Sequence, residues 1–424
     1  MPQKTQGREI WTFFAGAMGL DLGLEQAGLT PTLVNELERS YCETIRLNRP
    51  NLTLVEGDAS SLSGDGLRKK RNFDGEVFLV AGGPPCQSYS SGGKRQALND
   101  PRGGLVKEFF RLVGEIQPRY FIMENVANLA TAALLHRPIS ERPGKRWSLK
   151  SYDTVKKAQL SFLDDEASVL LPEEQSGSAI KALIQDVVIP LGYHVNFGVL
   201  DAADYGAPQH RLRFIMVGSR DFPEPSLPVA THGPGLLPRA TVRDAIWDLR
   251  SNPGPHSTYT PEMARFFELV PEGGNWRSLP LELHQEALGG AYNSGGGKTG
   301  FFRRLSWDKP SCTMTGKSNR KASAVCHPEE TRPISAKECA ALQGFPYDWH
   351  FAGATGQQFM QAGNAVPVPL GRAIGQAILE HDIKCKRKPK KIAAVNNLDH
   401  LIEASMKRVR AAGANNRTVT KRAS

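Results

Sequence analysis

Cysteine is scarce in this sequence, and the six cysteines are scattered along the chain. No two of them have the close spacing of a zinc ribbon, and together they suggest no disulfide framework. The chain also lacks any run of about 18 apolar residues, the length that a membrane-spanning helix needs. We therefore expect a soluble protein of the reducing cytoplasm, unsecreted, outside any membrane and without a structural metal.

Net positive charge is also scarce outside the last 44 residues. Residues 381–424 contain 12 Lys/Arg against 3 Asp/Glu, whereas the first 380 residues contain 41 against 40. A net positive charge indicates a polyanionic partner. Because the first 380 residues are almost neutral overall, a nucleic-acid surface on the body has to be a local patch. The best candidate is the segment 298–321, which has seven Lys/Arg and one acid, Asp308. We expect the basic run 384–391 to be mobile, and residues 398–409 to form a short helix on contact with a partner.

One cysteine follows a predicted buried strand. The apolar run 77–80 leads into Ala81-Gly82-Gly83-Pro84-Pro85-Cys86, and such a run bounded by turn formers predicts a strand. Ligands bind beyond the carboxyl ends of strands in open parallel sheets. A single cysteine is often only a small buried hydrophobe. The paired prolines and glycines instead favour a rigid loop that presents the Cys86 thiol.

Three earlier apolar runs end in residues suited to a nucleotide-like cofactor. A glycine-bearing turn follows the run 10–14 and opens a helix, although such a turn alone is as often structural. The run 33–36 ends in Glu36, an expected partner of ribose hydroxyls. The run 52–55 leads to Asp58, which suits an adenine amino group. The alternative is that Glu36 and Asp58 are ordinary surface caps and do not bind a cofactor.

Later segments add further candidate side chains. The strand 120–126 contains Glu124 after four apolar residues, which makes a raised pKa expected for this acid. Gln209, Arg211 and Arg213 alternate and should share one face of a strand. Between 222 and 331 the chain is irregular, and its aromatic residues suit either nucleic-acid contact or a small core. The segment 130–180 reads as an insertion of unknown role.

The stretch around Cys86 resembles the Pro-Cys motif of the cytosine carbon-5 DNA methyltransferases. Further motifs of that family follow in order between residues 9 and 380, including the Gln-x-Arg-x-Arg strand, a capping box at 335–338 and the segment 358–367. Met18 and Thr12 depart from the family pattern, which usually has glycine and aspartate there. The resemblance implies an α/β fold, with a Rossmann-like S-adenosylmethionine methyltransferase domain and a second, smaller irregular target recognition domain. The implied ranges are 9–221 and 332–381 for the catalytic domain, 222–331 for target recognition and 382–424 for a basic tail.

The resemblance also implies roles for individual residues. Cys86 would be the nucleophile on cytosine carbon 6, Glu124 would hold ring nitrogen 3, and Arg213, with Arg211 beside it, would contact the base carbonyl oxygen. S-adenosyl-L-methionine would bind to Phe14, Gly16, Gly19, Leu20, Glu36, Leu37, Asp58, Ala59, Pro84, Leu105, Asn364 and Val366. DNA would contact Ser88, Ser91, Lys94, Arg95, Gln209, Arg303, Arg304 and Lys317.

The expected function is therefore methyl transfer to carbon 5 of a flipped cytosine in a specific double-stranded DNA sequence. A tRNA cytosine-5 methyltransferase and a non-catalytic DNA-binding protein on the same fold stay open as alternatives. We expect a monomer, and a cognate restriction endonuclease is a candidate partner. The basic tail is either a non-specific DNA tether or a solvated solubility tail.

Overall fold

A seven-stranded sheet forms the centre of the protein. The computed structural model describes residues 7–85, 104–135, 172–221, 223–293, 300–317, 319–385 and 397–418. The sheet has the order β3-β2-β1-β4-β5-β7-β6. Strands β1 to β5 are parallel, and β7 runs antiparallel to both β5 and β6. The strands are β1 Ile10–Phe13, β2 Leu33–Glu36, β3 Thr53–Glu56, β4 Leu79–Gly82, β5 Tyr120–Val126, β6 His194–Asp201 and β7 Leu212–Ser219.

Helices cover both faces of this sheet, which confirms the predicted α/β Rossmann-like class. Along β1, Trp11 and Phe13 face one apolar cluster and Ile10 faces another, as the two-residue period of a strand requires. The helices are α1 Gly19–Gln26, α2 Arg39–Asn48, α3 Gly64–Arg71, α4 Gly104–Ile116, α5 Ser178–Ala182, α6 Val242–Ile246, α7 Pro261–Leu269, α8 His284–Leu288, α9 Ala336–Leu342, α10 Thr355–Asn364, α11 Val368–Lys384 and α12 Leu398–Thr418.

Helices α1 and α11 pack with their backbones almost in contact. A Cβ atom at Gly19 would lie 2.3 Å from the carbonyl oxygen of Val366, and one at Gly23 would lie 2.4 Å from that of Val368. Only glycine fits so close an approach. The late segment that ends in α11 therefore completes the fold around the first strand and helix.

The segment between β7 and α9 has an apolar core of its own. Strands β8 (Arg303–Arg304) and β9 (Val325–Cys326) pair in parallel beside helices α7 and α8. Trp276 and Phe302 are buried, so for these two aromatic residues the structure decides in favour of a core role. The buried members of this core are Met263, Phe266, Phe267, Val270, Trp276, Leu279, Ala287, Leu288, Phe302, Ala324 and Cys326. We call this segment, residues 223–331, the small domain.

Helix α12 packs on the body of the protein and includes residues 398–409, where a short helix is expected from the sequence. Its apolar side chains join the core cluster beside β6, and Ile402 is 6% exposed. Arg408 donates to Asp204 at 2.5 Å, and Lys181 pairs with Asp399 at 2.8 Å. Residues 386–396 lie outside the described part of the chain.

Three further expectations need correction or limitation. Strand β4 begins two residues later than the apolar run predicts and includes Gly82. Gln209 and Arg211 precede β7 instead of lying within it. Most of the predicted insertion, residues 136–171, lies outside the described residues. None of the described helices is long and apolar enough to cross a membrane.

Candidate active site

A cavity of about 730 Å³ opens at the carboxyl ends of the parallel strands. All twelve residues predicted to bind the cofactor line it, and Glu124, Arg211 and Arg213 complete one side. The parallel sheet explains this convergence, because the turns after β1 to β5 all emerge at the same edge. Cofactor contact by each of these residues stays a prediction.

The turn between β1 and α1 has three residues with positive φ. Phe14, Gly16 and Met18 have φ values of 55°, 55° and 68°, in the left-handed region. Glycine adopts this region freely, whereas methionine does so only under constraint from its surroundings. Met18 is 1% exposed and packs in an apolar cluster with Tyr41. Burial of this side chain therefore offsets the backbone cost at a position where the related family usually has glycine.

Glu36 ties the end of β2 to the glycine turn. Its carboxylate accepts hydrogen bonds from the backbone N–H groups of Gly16 at 2.7 Å and of Leu37 and Glu38 at 2.9 Å. Burial raises the pKa of Glu36, and these amides oppose that rise. A carboxylate has about four acceptor positions, so capacity remains for the hydroxyl groups of a ligand.

Glu124 and Arg213 form a buried ion pair on the opposite side of the cavity. Oε1 of Glu124 lies 2.6 Å from Nε of Arg213. Burial raises the pKa of Glu124, although Arg213 and Arg211 oppose the shift, in the direction the sequence predicts. Gly83 has no side chain to obstruct this acid, since a Cβ atom there would lie 2.8 Å from Oε2.

Asn125 anchors the loop that leads to Cys86, a role that sequence reasoning missed. Its Nδ2 donates to the carbonyl oxygen of Pro84 at 3.1 Å, and its side chain is 2% exposed. An amide directly after the acid of β5 was the available signal. Cys86 and the predicted DNA contacts Ser88, Ser91, Lys94 and Arg95 lie outside the described residues. The next residue after the anchored Pro84-Pro85 pair is Cys86.

Arg211 and Gln209 connect main-chain segments, which corrects their predicted direct contacts. Arg211 donates to the carbonyl oxygens of Met314 at 2.6 Å and Asn364 at 3.2 Å. Gln209 is fully buried, donates to Gln343 at 2.9 Å and accepts from the N–H of Met314 at 2.9 Å. A buried amide with these partners cannot contact DNA. Arg211 borders the cavity, and its bonds favour a positioning role.

Arg304 is the second predicted DNA contact that the structure contradicts. It is 7% exposed and donates to the carbonyl oxygens of Phe267 at 2.6 Å and Val270 at 2.8 Å. Further donations reach carbonyl oxygens within 327–330 and the hydroxyl of Thr331. This guanidinium holds the small domain together. Arg303 is partly exposed and Lys317 exposed, so DNA contact by these two stays a prediction.

Comparison with known proteins identifies the family of this chain. The family model of the C-5 cytosine-specific DNA methylases matches residues 9–136 and 171–380. The chain belongs to this family, and the enzyme is a DNA (cytosine-5) methyltransferase. The family model leaves 137–170 unmatched, within the segment predicted to be an insertion. Methyltransferases of this kind generally use S-adenosylmethionine.

Individual relatives agree with this assignment. The chain is 37% identical over 372 residues to the type II methyltransferase M.PspPI of Psychrobacter sp., covering 86% of this chain and 77% of that protein. It is 31% identical over 382 residues to M.Sau96I of Staphylococcus aureus, covering 89% and 77%. A prophage-encoded DNA modification methyltransferase from E. coli has a similar fold, with a TM-score of 0.55, 21% identity and coverage of 88% of this chain and 99% of that chain.

Proposed function

We propose that this enzyme is the modification methyltransferase of a restriction-modification system and transfers methyl groups from S-adenosyl-L-methionine to one cytosine of a specific duplex sequence. The observation that carries the proposal is the shared cavity, where the twelve predicted cofactor residues and the Glu124–Arg213 pair meet. The two relatives named above are type II methyltransferases, which supports the restriction-modification setting.

The cavity fits the proposed cofactor at its adenosine end. Glu36 would accept hydrogen bonds from the ribose hydroxyls, and Asp58 would accept one from the adenine amino group. Asp58 caps a short helical turn, accepting from the N–H of Ser60 at 2.9 Å, which fixes its orientation. Leu37 is 60% exposed beside Glu36 and would cover the adenine ring. When bound, the cofactor supplies an electrophilic methyl group on a positively charged sulfur.

The opposite side of the cavity would activate the base. The Cys86 thiolate adds to carbon 6 of cytosine, and Glu124 holds a proton at ring nitrogen 3, so carbon 5 becomes nucleophilic. Arg213 stabilises negative charge on the base carbonyl oxygen. After methylation, a base removes the carbon-5 proton, the electron pair restores the ring double bond, and the Cys86 thiolate leaves. The burial that raises the pKa of Glu124 favours its acid form, which is the form that holds the proton at ring nitrogen 3.

Access to carbon 5 requires the cytosine to leave the duplex, at a cost of a few kcal/mol. The small domain would hold the opened duplex and read its sequence, and residues 9–221 with 332–381 would perform the chemistry. The apolar core that part of the small domain has to itself supports this division, and Val242, Leu249 and Trp307 attach the domain to the core around Met18. It also favours DNA over tRNA as the substrate, since the tRNA branch has a reduced segment there.

Covalent trapping tests the proposed chemistry most directly. The wild-type enzyme with S-adenosylmethionine and duplex DNA containing 5-fluorocytosine should form an adduct stable to denaturation, because fluorine cannot leave as a proton does. Cys86→Ser should form none and should lose methylation while still binding DNA. Cys312→Ser, at a partly exposed cysteine of the small domain, is the matched control and should be trapped as the wild type is.

Substrate choice follows from a second measurement. Labelled methyl should enter duplex DNA at one sequence and should not enter tRNA. Incorporation into tRNA alone would overturn the proposal, and binding of DNA without any incorporation would indicate the non-catalytic alternative.

Assembly and location complete the proposal. We expect a monomer in the cytoplasm, with a cognate restriction endonuclease as a separate protein that reads the same sequence. Light scattering during gel filtration measures the first point. The expected partner endonuclease is tested by co-expressing a candidate nuclease and measuring whether methylated host DNA is protected against it.

A further inference from the structure

Charge is distributed unevenly within the cavity. Glu124 is paired with Arg213, so that side carries no uncompensated acid. Around the first three strands, Asp21, Glu36 and Asp58 line the cavity, and within the described residues none of the three pairs with a Lys or Arg. Three acids without a counter-ion make this part of the cavity favourable for a cation.

Asp21 is the most deeply buried of these acids. It lies in the first turn of α1 and is 1% exposed. Its Oδ1 accepts a hydrogen bond from the Thr12 hydroxyl at 2.5 Å, and Oδ2 has no hydrogen-bond partner among the described residues. A buried carboxylate oxygen without a donor is costly in a structural residue. The cost indicates a function.

Asp21 also occupies a middle position between the two ends of the site. Thr12 is on β1, where it pairs with Val34 of β2 on one side and Ala81 of β4 on the other. Strand β2 ends in Glu36 at the proposed ribose position, and β4 leads to Pro84 near Glu124. In the proposed cofactor, the sulfur joins the adenosine to the methyl group that faces the base. In the proposed binding mode the sulfur would lie between these two ends, close to the end of β1.

We propose that Asp21 is the counter-charge for the cofactor's sulfonium centre and makes the enzyme prefer the charged methyl donor over its uncharged product. This inference rests on the proposed function. The acid acts through the low-dielectric protein interior and requires no direct contact with sulfur. Methyl transfer abolishes the positive charge, so Asp21 attracts the product less than the donor and favours exchange of one for the other.

The charged groups around Asp21 agree with this role. Burial raises its pKa to about 6, the Thr12 hydrogen bond lowers it, and the neighbouring acids Glu25 and Glu36 raise it. On α11, which packs against α1, Arg372 has an exposed side chain. Asp21 is consequently an anion at neutral pH and becomes protonated below about pH 6. The preference for a cationic ligand should follow the same titration.

Calorimetric binding by the full-length enzyme without DNA tests the inference. The three ligands are S-adenosylmethionine, its product S-adenosylhomocysteine, and sinefungin, which carries an ammonium group at the sulfonium position. Asp21→Asn should lose about tenfold in affinity for the two charged ligands and less than about twofold for the product. Glu25→Gln is the matched control, since Glu25 is an acid of the same helix paired with Arg49, and it should change no affinity by more than about twofold.

Equal losses for all three ligands would show only a damaged cavity and would overturn the inference, as would unchanged affinities. Failure of the wild type to bind S-adenosylmethionine would instead overturn the proposed function. The double variant T12D/D21N places the acid on the other member of the same hydrogen-bonded pair and should restore the preference for charged ligands. If Asp21→Asn does not fold, the wild type still decides, because its preference for donor over product should fall from pH 7.5 to pH 5.5.

Discussion

The cavity end of the sheet and the small domain each contain a buried arginine, and the two are used differently. Arg213 is 9% exposed and pairs with one carboxylate, Glu124, beside an open cavity. Arg304 is 7% exposed and donates to backbone carbonyl oxygens on several sides. A guanidinium enclosed by carbonyl groups has no donor left for a ligand, whereas an ion pair at a cavity can rearrange around a substrate. The partners of the guanidinium, and not its burial, separate the arginine proposed to act in catalysis from the structural one.

Glu124→Gln changes the carboxylate that pairs with Arg213 at the cavity, and it should reduce turnover more than any other substitution proposed below. Glutamine keeps the shape of the side chain but cannot exchange the proton at ring nitrogen 3, so turnover should fall by about 10²–10⁴-fold. Single-turnover methylation with saturating DNA and S-adenosylmethionine measures it. Cofactor affinity should stay within about threefold, and a variant with near-normal turnover would remove Glu124 from the mechanism.

Arg304→Met removes the structural arginine of the small domain and should lower the stability of the protein. The carbonyl groups of Phe267 and Val270 would lose their donor inside the protein, at a cost of about 3–5 kcal/mol in the free energy of unfolding. Urea denaturation measures this cost. Arg303→Met, at the partly exposed neighbour, is the control and should cost less than about 1 kcal/mol. Equal effects of the two substitutions would contradict the assigned roles.

Ile402→Ala tests whether α12 belongs to the fold in solution. Ile402 is 6% exposed in the core cluster, and its removal should cost about 2–3 kcal/mol. The same substitution in a mobile tail would cost nothing. Limited proteolysis gives an independent readout. A helix α12 that is docked on the body resists digestion, whereas an undocked helix is degraded.

Asp21→Asn should produce a smaller effect whose sign depends on pH. The pKa of Asp21 is about 6 in the folded protein, compared with 3.8 as the ordinary value, so the folded state binds the proton more tightly. Between pH 4 and pH 6 the wild type therefore loses stability as pH rises, and the variant lacks this loss. Relative to the wild type, the variant should gain about 1–3 kcal/mol from pH 4 to pH 7. Denaturation of both proteins across this range checks the sign.

The strands and the residues at their ends could be predicted from the sequence because both are local features. Apolar runs ending at Glu36, Glu124 and the glycines before Cys86 define the sheet, and a parallel sheet brings its strand ends together. Which of two adjacent side chains is buried could not be predicted in this way, because it depends on segments that are distant in the sequence. Arg303 and Arg304 are adjacent in one basic segment, yet only the packing of 267–270 and 327–331 around Arg304 separates their roles.

The missed residues show the same limit. Asp21 lies between the apolar residues Leu20 and Leu22, which hinted at burial, but its neighbour Thr12 comes from another element. For α12, the apolar residues at 398, 401, 402 and 409 were visible as a possible helix. The surface that receives them is formed by residues 127–131 and β6, more than 190 positions earlier in the chain. Pattern alone did not reveal the docking partner.

The glycine contacts between α1 and α11 have a consequence for biosynthesis. At about 5–20 residues per second, a ribosome needs roughly 20–70 s to reach α11 after making α1. During that interval the face of α1 that carries Gly19 and Gly23 is uncovered. In the folded protein this face is in backbone contact with residues 366–371. The emerging chain thus exposes an apolar surface until residues 366–371 have been synthesised. Synthesis of the full-length enzyme should consequently depend on chaperones that protect nascent chains.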